Sequence, residues 1–592
     1  TVNIVVLFSL ILSVGMLVDG AIVVTEFADR KMAEGMDRKE AYANAAKRMA
    51  WPITTSTATT LSAFAPLLFW PDIVGEFMKF LPITLIAVLA SSLFMALVFV
   101  PTLGSLIGKP GAASDPKLLA ELAAAETGNV NSIQGFTGKY ISTLNSALSY
   151  PFLVLVSTIL LLITTMMLYG KYGSGVEFFP EVEPEVASVL VHARGNLSIY
   201  EKDTLVSEVE NRILEIDGIK TIYTRTGNAA SSGSELAEDV IGQIQLEFED
   251  WQVRKPATEI LDEIIRKADD LAGLFVETRK EEAGPPTGKD IQVEISSNIP
   301  AIIPDAVERV RGYIESDDDF IAVEDSRPIP GIDWEYRIDR AQAAKFGVDV
   351  TTIGFYIRMV TNGLEVAEYR PDESDDEIDI VLRHREHRRT LDQLERVRVF
   401  GNDGYVPISS FVTPIPRPAT GNINRSGQKR IITVKADVRE EVNVTAKINE
   451  IKAWLSDNRA QFDPRLEIAF KGQDEDQQEA QEFLVQAFFV AIFVMGIILV
   501  TQFNSFYSAF VILWSVVMST IGVMLGLLIT GQAFSIVMTG IGIIALAGVV
   551  VNNNIVLIDT FDHMRRTMKA PIRELILRTG AQRLRPVMLT TI

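Results

Sequence analysis

One carboxylate lies where an apolar chain segment should hold none. The stretch Gly15-Met-Leu-Val-Asp-Gly-Ala-Ile-Val-Val-Thr-Glu26 sits inside a hydrophobic run that begins near Val2 and is long enough to cross a bilayer. Asp19 falls near its middle. A charge at that depth costs at least about 2.5 kcal/mol, so an ionisable side chain kept there points to ion or proton translocation. The bland alternative is a short water-filled vestibule or a helix cap. A second stretch, Gly548-Val-Val-Val-Asn-Asn-Asn-Ile-Val-Leu-Ile-Asp559, repeats the first at an offset of 533 residues, with Asn552 on Asp19 and Asp559 on Glu26. The exits agree as well: Arg48-Met-Ala-Trp-Pro-Ile-Thr-Thr55 is similar to Arg583-Leu-Arg-Pro-Val-Met-Leu-Thr590. Two membrane helices related by an internal repeat, polar at one depth, are a transporter signature.

Other chemistry is thin. His384-x-x-His387 lies in an Arg-rich stretch without acidic or cysteine partners at metal spacing, and reads as solvated surface. Trp334 and Tyr336 read as strand packing. There is no nucleophile elbow, P-loop or dinucleotide fingerprint, so neither an enzyme nor a cofactor is expected, and energy must come from an ion gradient. The net charge of −21 and pI near 4.8 argue against a nucleic-acid partner, since no large basic face can neutralise phosphates. The acid gathers in the polar middle, in runs at 315–319 and 372–377 that suit solvated loops. With no cysteine, disulfides, thiol catalysis and cysteine metal sites are all excluded.

The 592 residues are too many for one domain, and a mean hydropathy of +0.21 calls for membrane spans. Apolar runs of spanning length occur at about 2–24, 53–69, 80–104, 151–169, 483–501, 507–530 and 533–558, seven in all. The run at 53–69 is short and starts with Thr54, Thr55, Ser56 and Thr57, whose hydroxyls can bond the helix backbone or a neighbouring helix. Basic residues crowd 29–50 and 562–585, which places both loops in the cytoplasm and residues 170–482 outside. Within 105–150, Phe136, Tyr140, Leu144 and Leu148 recur every four residues. That spacing suits a helix on the membrane surface or a linker helix packed on protein. Lacking an initiator Met and a signal peptide, the chain reads as a segment cut at both ends.

The outer segment reads as α+β. Strand, helix and strand alternate at 187–192, 200–215 and 219–224, then at 243–248, 257–268 and 274–278, and again at 290–296, 304–316 and 320–323. Repeated β-α-β units suggest paired ferredoxin-like subdomains at 170–330. The pattern changes over 331–437, as in an inserted subdomain, and returns over 438–482 before the chain re-enters the membrane.

Taken together, these motifs resemble the resistance-nodulation-division (RND) efflux permeases, proton-driven multidrug exporters of Gram-negative inner membranes. The 15–26 stretch is similar to the family's fourth span, 548–559 to its tenth, and 583–590 to the entry of its eleventh. Phe178-Phe-Pro-Glu-Val-Glu-Pro-Glu185 looks like the start of the second periplasmic loop. The resemblance covers essentially the whole chain. It implies an α-helical polytopic membrane protein with an α+β periplasmic domain, in the partial RND transporter fold. Spans four to six would occupy 1–104, a cytoplasmic or interfacial linker helix 105–150, and span seven 151–169. Porter subdomains would occupy 170–330 and 438–482, with a docking subdomain at 331–437. Spans eight to ten would fill 483–558, and 559–592 would lead into span eleven. Homotrimers, a periplasmic adaptor (membrane fusion protein), an outer-membrane channel and small amphiphilic substrates are the implied partners, besides the bilayer itself.

The family commonly places two adjacent aspartates opposite a lysine. Here Asp19 matches the first aspartate, Gly20 replaces the second, and Asn552 stands where the lysine would be. Arg583 and Thr590 match the arginine and threonine that complete the relay. Two carboxylates and one ammonium sum to −1, and so does Asp19 facing an amide. The expected proton relay is therefore Asp19, Asn552, Asn553, Arg583 and Thr590. The loop at 227–235 has no aromatic residue, unlike the phenylalanine-rich loop of drug exporters. Met359 is the sole methionine between 170 and 482, which argues against export of soft metal ions. The expected function is a proton antiporter exporting amphiphiles. The rivals are an envelope-biogenesis or protein-export accessory of the same superfamily, and a non-coupled structural subunit of a heteromeric pump.

Overall fold

The computed structural model describes residues 3–591 apart from 109–132, 134, 181, 195–196, 228–236, 238, 281–287, 328–330, 372–376, 386–388, 403, 419–421, 440–441 and 569. His387 and all but the first residue of the loop 227–235 lie outside the described residues. Asn3 starts α1 (Ile4–Leu17) by accepting from the Val6 amide at 2.8 Å. After Val18 alone comes α2 (Asp19–Ala33), and the pair forms one membrane-length unit. Asp37 caps the long α3 (Arg38–Phe64). A second membrane-length unit strings together α4 (Asp72–Met78), α5 (Phe80–Phe94) and α6 (Val100–Ile107). α7 (Gly135–Ser149) and α8 (Pro151–Tyr172) follow, α8 opening on a proline that needs no amide partner in the first turn.

Outside the bundle, β1 (Val176–Glu177) leads into two copies of one unit. The first runs β2 (Val186–Ala193), α9 (Ile199–Ile213), β3 (Ile219–Thr226), β4 (Val240–Phe248), α10 (Ala257–Ala268) and β5 (Leu274–Lys280). Its antiparallel sheet has the order β3-β4-β2-β5, the split β-α-β arrangement of ferredoxin-like folds. Ser198 and Glu201 close a capping box at the head of α9. Val206, Val209, Ile260 and Ile264 of the two helices bury one face of the sheet, against Val189, Val191, Ile244 and Leu246.

The second unit runs β6 (Ile291–Ser297), α11 (Ile303–Glu315) and β7 (Phe320–Asp325), and then the chain leaves the sheet. The excursion holds β8 (Ile332–Ile338), α12 (Arg340–Lys345), α13 (Val350–Val360), the hairpin β9 (Leu364–Tyr369) and β10 (Ile378–Leu382), and α14 (Leu391–Arg396). It continues through β11 (Arg398–Gly401), β12 (Gly404–Pro407) and β13 (Val412–Pro418). β8 and β13 pair in full register and close its small core around Ile353, Val399 and Phe411. The chain returns through β14 (Arg425–Ser426), β15 (Lys429–Val438), α15 (Val444–Asp457) and β16 (Glu467–Lys471). β15 pairs with both β6 and β7, so β7-β15-β6-β16 repeats the order of the first sheet. That pairing corrects the expected boundary at 437. β15 alternates buried and outward residues, with Ile432, Val434, Ala436 and Val438 in the core of the second unit, and belongs there and not to the insertion.

Re-entry is abrupt. Gly472 alone separates β16 from α16 (Gln473–Phe503), a 31-residue helix, and α17 (Phe506–Thr530) follows. β17 (Phe534–Ser535) lies parallel to β1 and ties the two chain entries together. The chain finishes with α18 (Ile536–Thr567) and α19 (Ile572–Thr591). Among the described residues six helical units are long and apolar enough to cross a membrane. The seven expected runs included 53–69, which is not among the six. Its residues 53–64 form the second half of α3, behind a basic start, and Ala65–Phe69 continue as a 3-10 helix. The reason is location: Thr55, Ser56, Thr59, Thr60 and Phe64 are buried, in a helix that packs on α16 and α18 within the bundle. Its hydroxyls bond back to the helix, Thr59 to the Thr55 carbonyl at 2.7 Å and Thr55 to that of Trp51 at 2.9 Å. α7 packs on protein along part of the expected stripe. Tyr140, Leu144 and Leu148 lie on α19 against Leu577 and Ala581, and Arg573 donates to Asn145 and Ser149.

Candidate functional site

Asp19 stands at a broken helix. The Ser92 hydroxyl, on α5, donates to the Leu17 carbonyl at 2.6 Å, inserting into the backbone ladder where α1 gives way to α2. Asp19 is the first residue after that break and is buried. Across from it, α18 is continuous and presents Asn552. The Asn552 amide donates from Nδ2 to Asp19 Oδ2 at 2.7 Å, while the Ser56 hydroxyl of α3 donates to Asn552 Oδ1. The carboxylate, which can only accept, fixes which end of the amide faces it, and the Ser56 hydroxyl satisfies the other end. A carboxylate accepts readily from that NH2 group; a protonated carboxyl accepts poorly and cannot donate to it. Protonation therefore weakens the bond that joins the two repeats.

The packing around the pair is close. A Cβ on Gly20 would lie 3.2 Å from Ala96 Cβ and 3.3 Å from Ile53 Cγ2, and one on Gly548 would lie 3.0 Å from Thr60 Cγ2. A second aspartate at this position would press on Ala96 and Ile53, which would have to give by a few tenths of an ångström. Gly20→Ala should overpack the contact and cost about 1–3 kcal/mol. This is measured as a lower unfolding temperature in detergent; an unchanged one would show that α2 is free to move aside. Beside Asp19 a small cavity of about 40 Å³ remains, with Ser56, Thr57, Thr60 and Ser92 among its walls. That is room for water, which needs about 10–15 Å³ and polar partners.

The expected relay divides. Asn552 alone of the three asparagines reaches Asp19. Asn553, a position on, is turned by about 100° and makes no bond to it, and Asn554 donates to the Ser515 hydroxyl of α17 at 2.6 Å. Arg583 does not touch Asp19. It is buried one layer away, where Nε donates to Thr560 Oγ1 at 2.7 Å and Nη1 lies 3.6 Å from Glu26 Oε2. Thr590 lies within α19, and its side chain is outside the described residues. Two members of the site escaped sequence reasoning, Ser56 and Ser92. For Ser56 the hydroxyl-rich start of 53–69 was the available signal, since polar groups on a membrane helix turn toward protein.

A second polar cluster joins the two outer units. Lys289, just before β6, has its ammonium 3.1 Å from Glu277 Oε1 on β5, 3.2 Å from Asp437 Oδ2 on β15 and 2.7 Å from the Ala322 carbonyl. Arg279 Nε donates to Glu277 Oε1 at 2.6 Å. His192 places Nδ1 2.9 Å from Asp239 and Nε2 3.5 Å from Glu277. Burial pushes the imidazole down, but Asp239 and Glu277 outweigh it and lift His192 to about 9. Burial pushes Glu277 up, and His192, Lys289 and Arg279 bring it down to about 2. Asp437 and Glu324 are raised, chiefly by burial. Elsewhere, Glu365, Glu368 and Asp379 stand close enough to share a cation on the β9–β10 hairpin, all three exposed.

Comparison with known proteins matches this architecture. A family model described as the AcrB/AcrD/AcrF family covers residues 1–592. The swarming motility protein SwrC of Bacillus subtilis is 23% identical over 598 residues, taking in 100% of this chain and 55% of that protein. The cobalt-zinc-cadmium resistance protein CzcA of Cupriavidus metallidurans is 23% identical over 98% of this chain and 55% of its own length. The multidrug resistance protein MdtC of Proteus mirabilis is 22% identical over 99% of this chain and 56% of its own. The chain thus spans about half the length of the curated relatives it matches. A crystal structure of a heavy metal efflux pump superposes with a TM-score of 0.76 at 19% identity, over 98% of this chain and 56% of that one, a likeness of fold. On the full-length match to the family model, the chain belongs to the AcrB/AcrD/AcrF family of RND efflux transporters.

Proposed function

We propose that this chain is part of a proton-driven secondary exporter of small amphiphilic compounds, the inner-membrane permease of a tripartite pump. The observation that carries the reading is the buried Asp19–Asn552 bond at a helix break. One net negative charge that a single proton neutralises survives the exchange of two carboxylates and a lysine for one carboxylate and an amide. In the working cycle a proton on Asp19 weakens its bond to Asn552, and α2 shifts against α18 as one of two discrete arrangements. The outer units respond through the helices that join them to the bundle. Homotrimeric assembly with a periplasmic adaptor and an outer-membrane channel belongs to the same reading. Amphiphiles are preferred over soft metal ions because residues 170–482 offer one methionine and no cysteine.

The test is reconstitution of the full-length protein in vesicles with an imposed pH gradient. Amphiphilic dyes should move with the gradient and stop when a protonophore collapses it. Transport driven by a sodium gradient without a pH gradient would overturn proton coupling. Movement of Zn²⁺ or Co²⁺ with no movement of dye would overturn the substrate class.

A further inference from the structure

The two outer units have separate apolar cores, and among the described residues no apolar cluster spans both. Charge crosses the boundary instead. Lys289 Nζ lies 3.1 Å from Glu277 Oε1, and Arg279 Nη2 lies 3.8 Å from Glu324 Oε1. A boundary of this kind can part and re-form, because no buried apolar surface holds it shut.

Each side keeps partners of its own when the boundary opens. Glu277 retains Arg279 and His192, all three in the first unit, and Lys289 retains Asp437 and the Ala322 carbonyl in the second. The backbone is shaped for that second set. Ala322 takes a φ of +49°, a left-handed value that a side chain disfavours, and the register of β7 on β15 slips between Lys435 and Asp437. Together these aim the carbonyl at the ammonium. Glu324, two residues on, is served less well. Arg279 stands 3.8 Å from one of its oxygens, and the other, Oε2, is buried without a hydrogen-bond donor. Lys435 lies opposite it in register, and Lys289, Arg279 and Glu277 are the other charges around it. A buried carboxylate oxygen that no donor serves disfavours the charged form. Burial accordingly lifts Glu324 above its usual range.

We propose that Glu324 makes this boundary a second proton-binding site, which closes the two outer units when it is filled and lets them part when it is empty. The site stands independently of Asp19. A proton from water on the outer side bonds to Glu324 Oε2, and the neutral carboxyl is buried as the units meet. On parting, water reaches Glu324, the O–H bond breaks and the proton returns to the same side. No charge crosses the membrane in this step. Closing takes up a proton, so the closed form gains as pH falls from neutral toward the ordinary carboxylate range. His192 keeps Asp239 and Glu277 within its own unit in both forms, so its charge does not follow the opening.

The experiment uses the full-length protein with one spin label on each unit, at Glu208→Cys of α9 and Glu450→Cys of α15. These 592 residues hold no other cysteine, and any elsewhere is replaced by serine. Distances measured by pulsed EPR should show the ratio of closed to open form rising at least fivefold from pH 8 to pH 5. Glu324→Gln, which mimics the neutral acid, should stay closed at both values, and Glu324→Asp should keep the response. Asp437→Asn should keep it too, because Asp437 pairs with Lys289 in both forms. Identical wild-type distances at the two pH values overturn the proposal. So does a Glu324→Gln protein with the full wild-type response, or a Glu324→Asp protein with none. A response abolished by Asp437→Asn and untouched by Glu324→Gln puts the proton on Asp437 and overturns it as well. Asp19→Asn, labelled in the same way, should respond as wild type does. A lost response there would mean that the outer units follow Asp19 and not Glu324.

Discussion

Asp19→Asn is expected to reduce gradient-driven export to the rate of protein-free vesicles while leaving the protein at least as stable as before. Both halves follow from the geometry. Asparagine has the shape of aspartate, and its side-chain oxygen still accepts from Asn552 Nδ2, so the join between α2 and α18 survives. The helix break is set by Ser92 and the Leu17 carbonyl and does not involve the carboxylate. What disappears is the charge that the membrane interior disfavours by about 2.5–3.5 kcal/mol at a helix centre. Function and stability should thus move in opposite directions, as at sites that keep an unfavourable group for its chemistry. Export rate and unfolding temperature measured on the same preparation check this. An active Asp19→Asn protein sinks the idea, and an inactive but strongly destabilised one would show that the carboxylate is structural.

Lys289→Met should be the most damaging substitution in the outer domain. The ammonium is almost fully buried and serves two carboxylates and a carbonyl from both units. Without it Asp437 loses its ion-pair partner and Glu277 keeps only Arg279 and His192, and removing one partner of a buried ion pair costs about 3–5 kcal/mol. Hydrogen exchange should quicken in β5, β6 and β15 while the bundle stays protected. Adding Asp437→Asn should restore part of the loss, since burial already disfavours a charge there. If exchange in those strands is unchanged in Lys289→Met, the joint is held by something else. The same cluster predicts a pH profile. His192 is raised to about 9 from 6.5, so its contribution is whole below about 6.5 and disappears as pH rises through about 9. That contribution is on the order of 3 kcal/mol, at about 1.4 kcal/mol per unit. Glu277 works at the other end: lowered to about 2 from 4.5, its share is whole above about 4.5 and lost as pH falls through about 2.

Much of this was legible before any coordinates. Alternating strands and 3.6-residue helices pointed to the first β-α-β-β-α-β unit and the opening β-α-β of the second, and the internal repeat aligned Asn552 with Asp19. What stayed hidden has physical causes. Asn552, Asn553 and Asn554 look equivalent in a row, but each helical step turns the side chain by about 100°. Only one can face Asp19. Arg583 and Asp19 belong to one family pattern, yet they lie in different layers of the bundle, and a pattern carries no depth. β15 was misassigned because the insertion separates it from its partner β7, and sheet pairing across such a gap leaves no periodic trace. The Lys289 joint was invisible for a related reason: its members sit on outward faces of two sheets, where polar residues look like ordinary solvated positions.

One feature of the fold bears on how force travels. The second outer unit is clamped to α16 with Gly472 as the sole intervening residue, and the Lys452–Asp474 pair at 2.8 Å braces the weld. At 31 residues the helix is about 46 Å long. A single stripe, Ala480, Leu484, Ala487, Ala491, Met495 and Leu499, seats it in the bundle core over most of that length. Such a part behaves as a push-rod, with no slack to absorb a stroke. Among the described residues no helix runs straight into the first outer unit: α8 ends at Tyr172 and β2 begins at Val186, and the unit is geared to its twin at Lys289. A displacement of α16 is therefore expected to reach the second unit directly and the first only by way of the Lys289 joint.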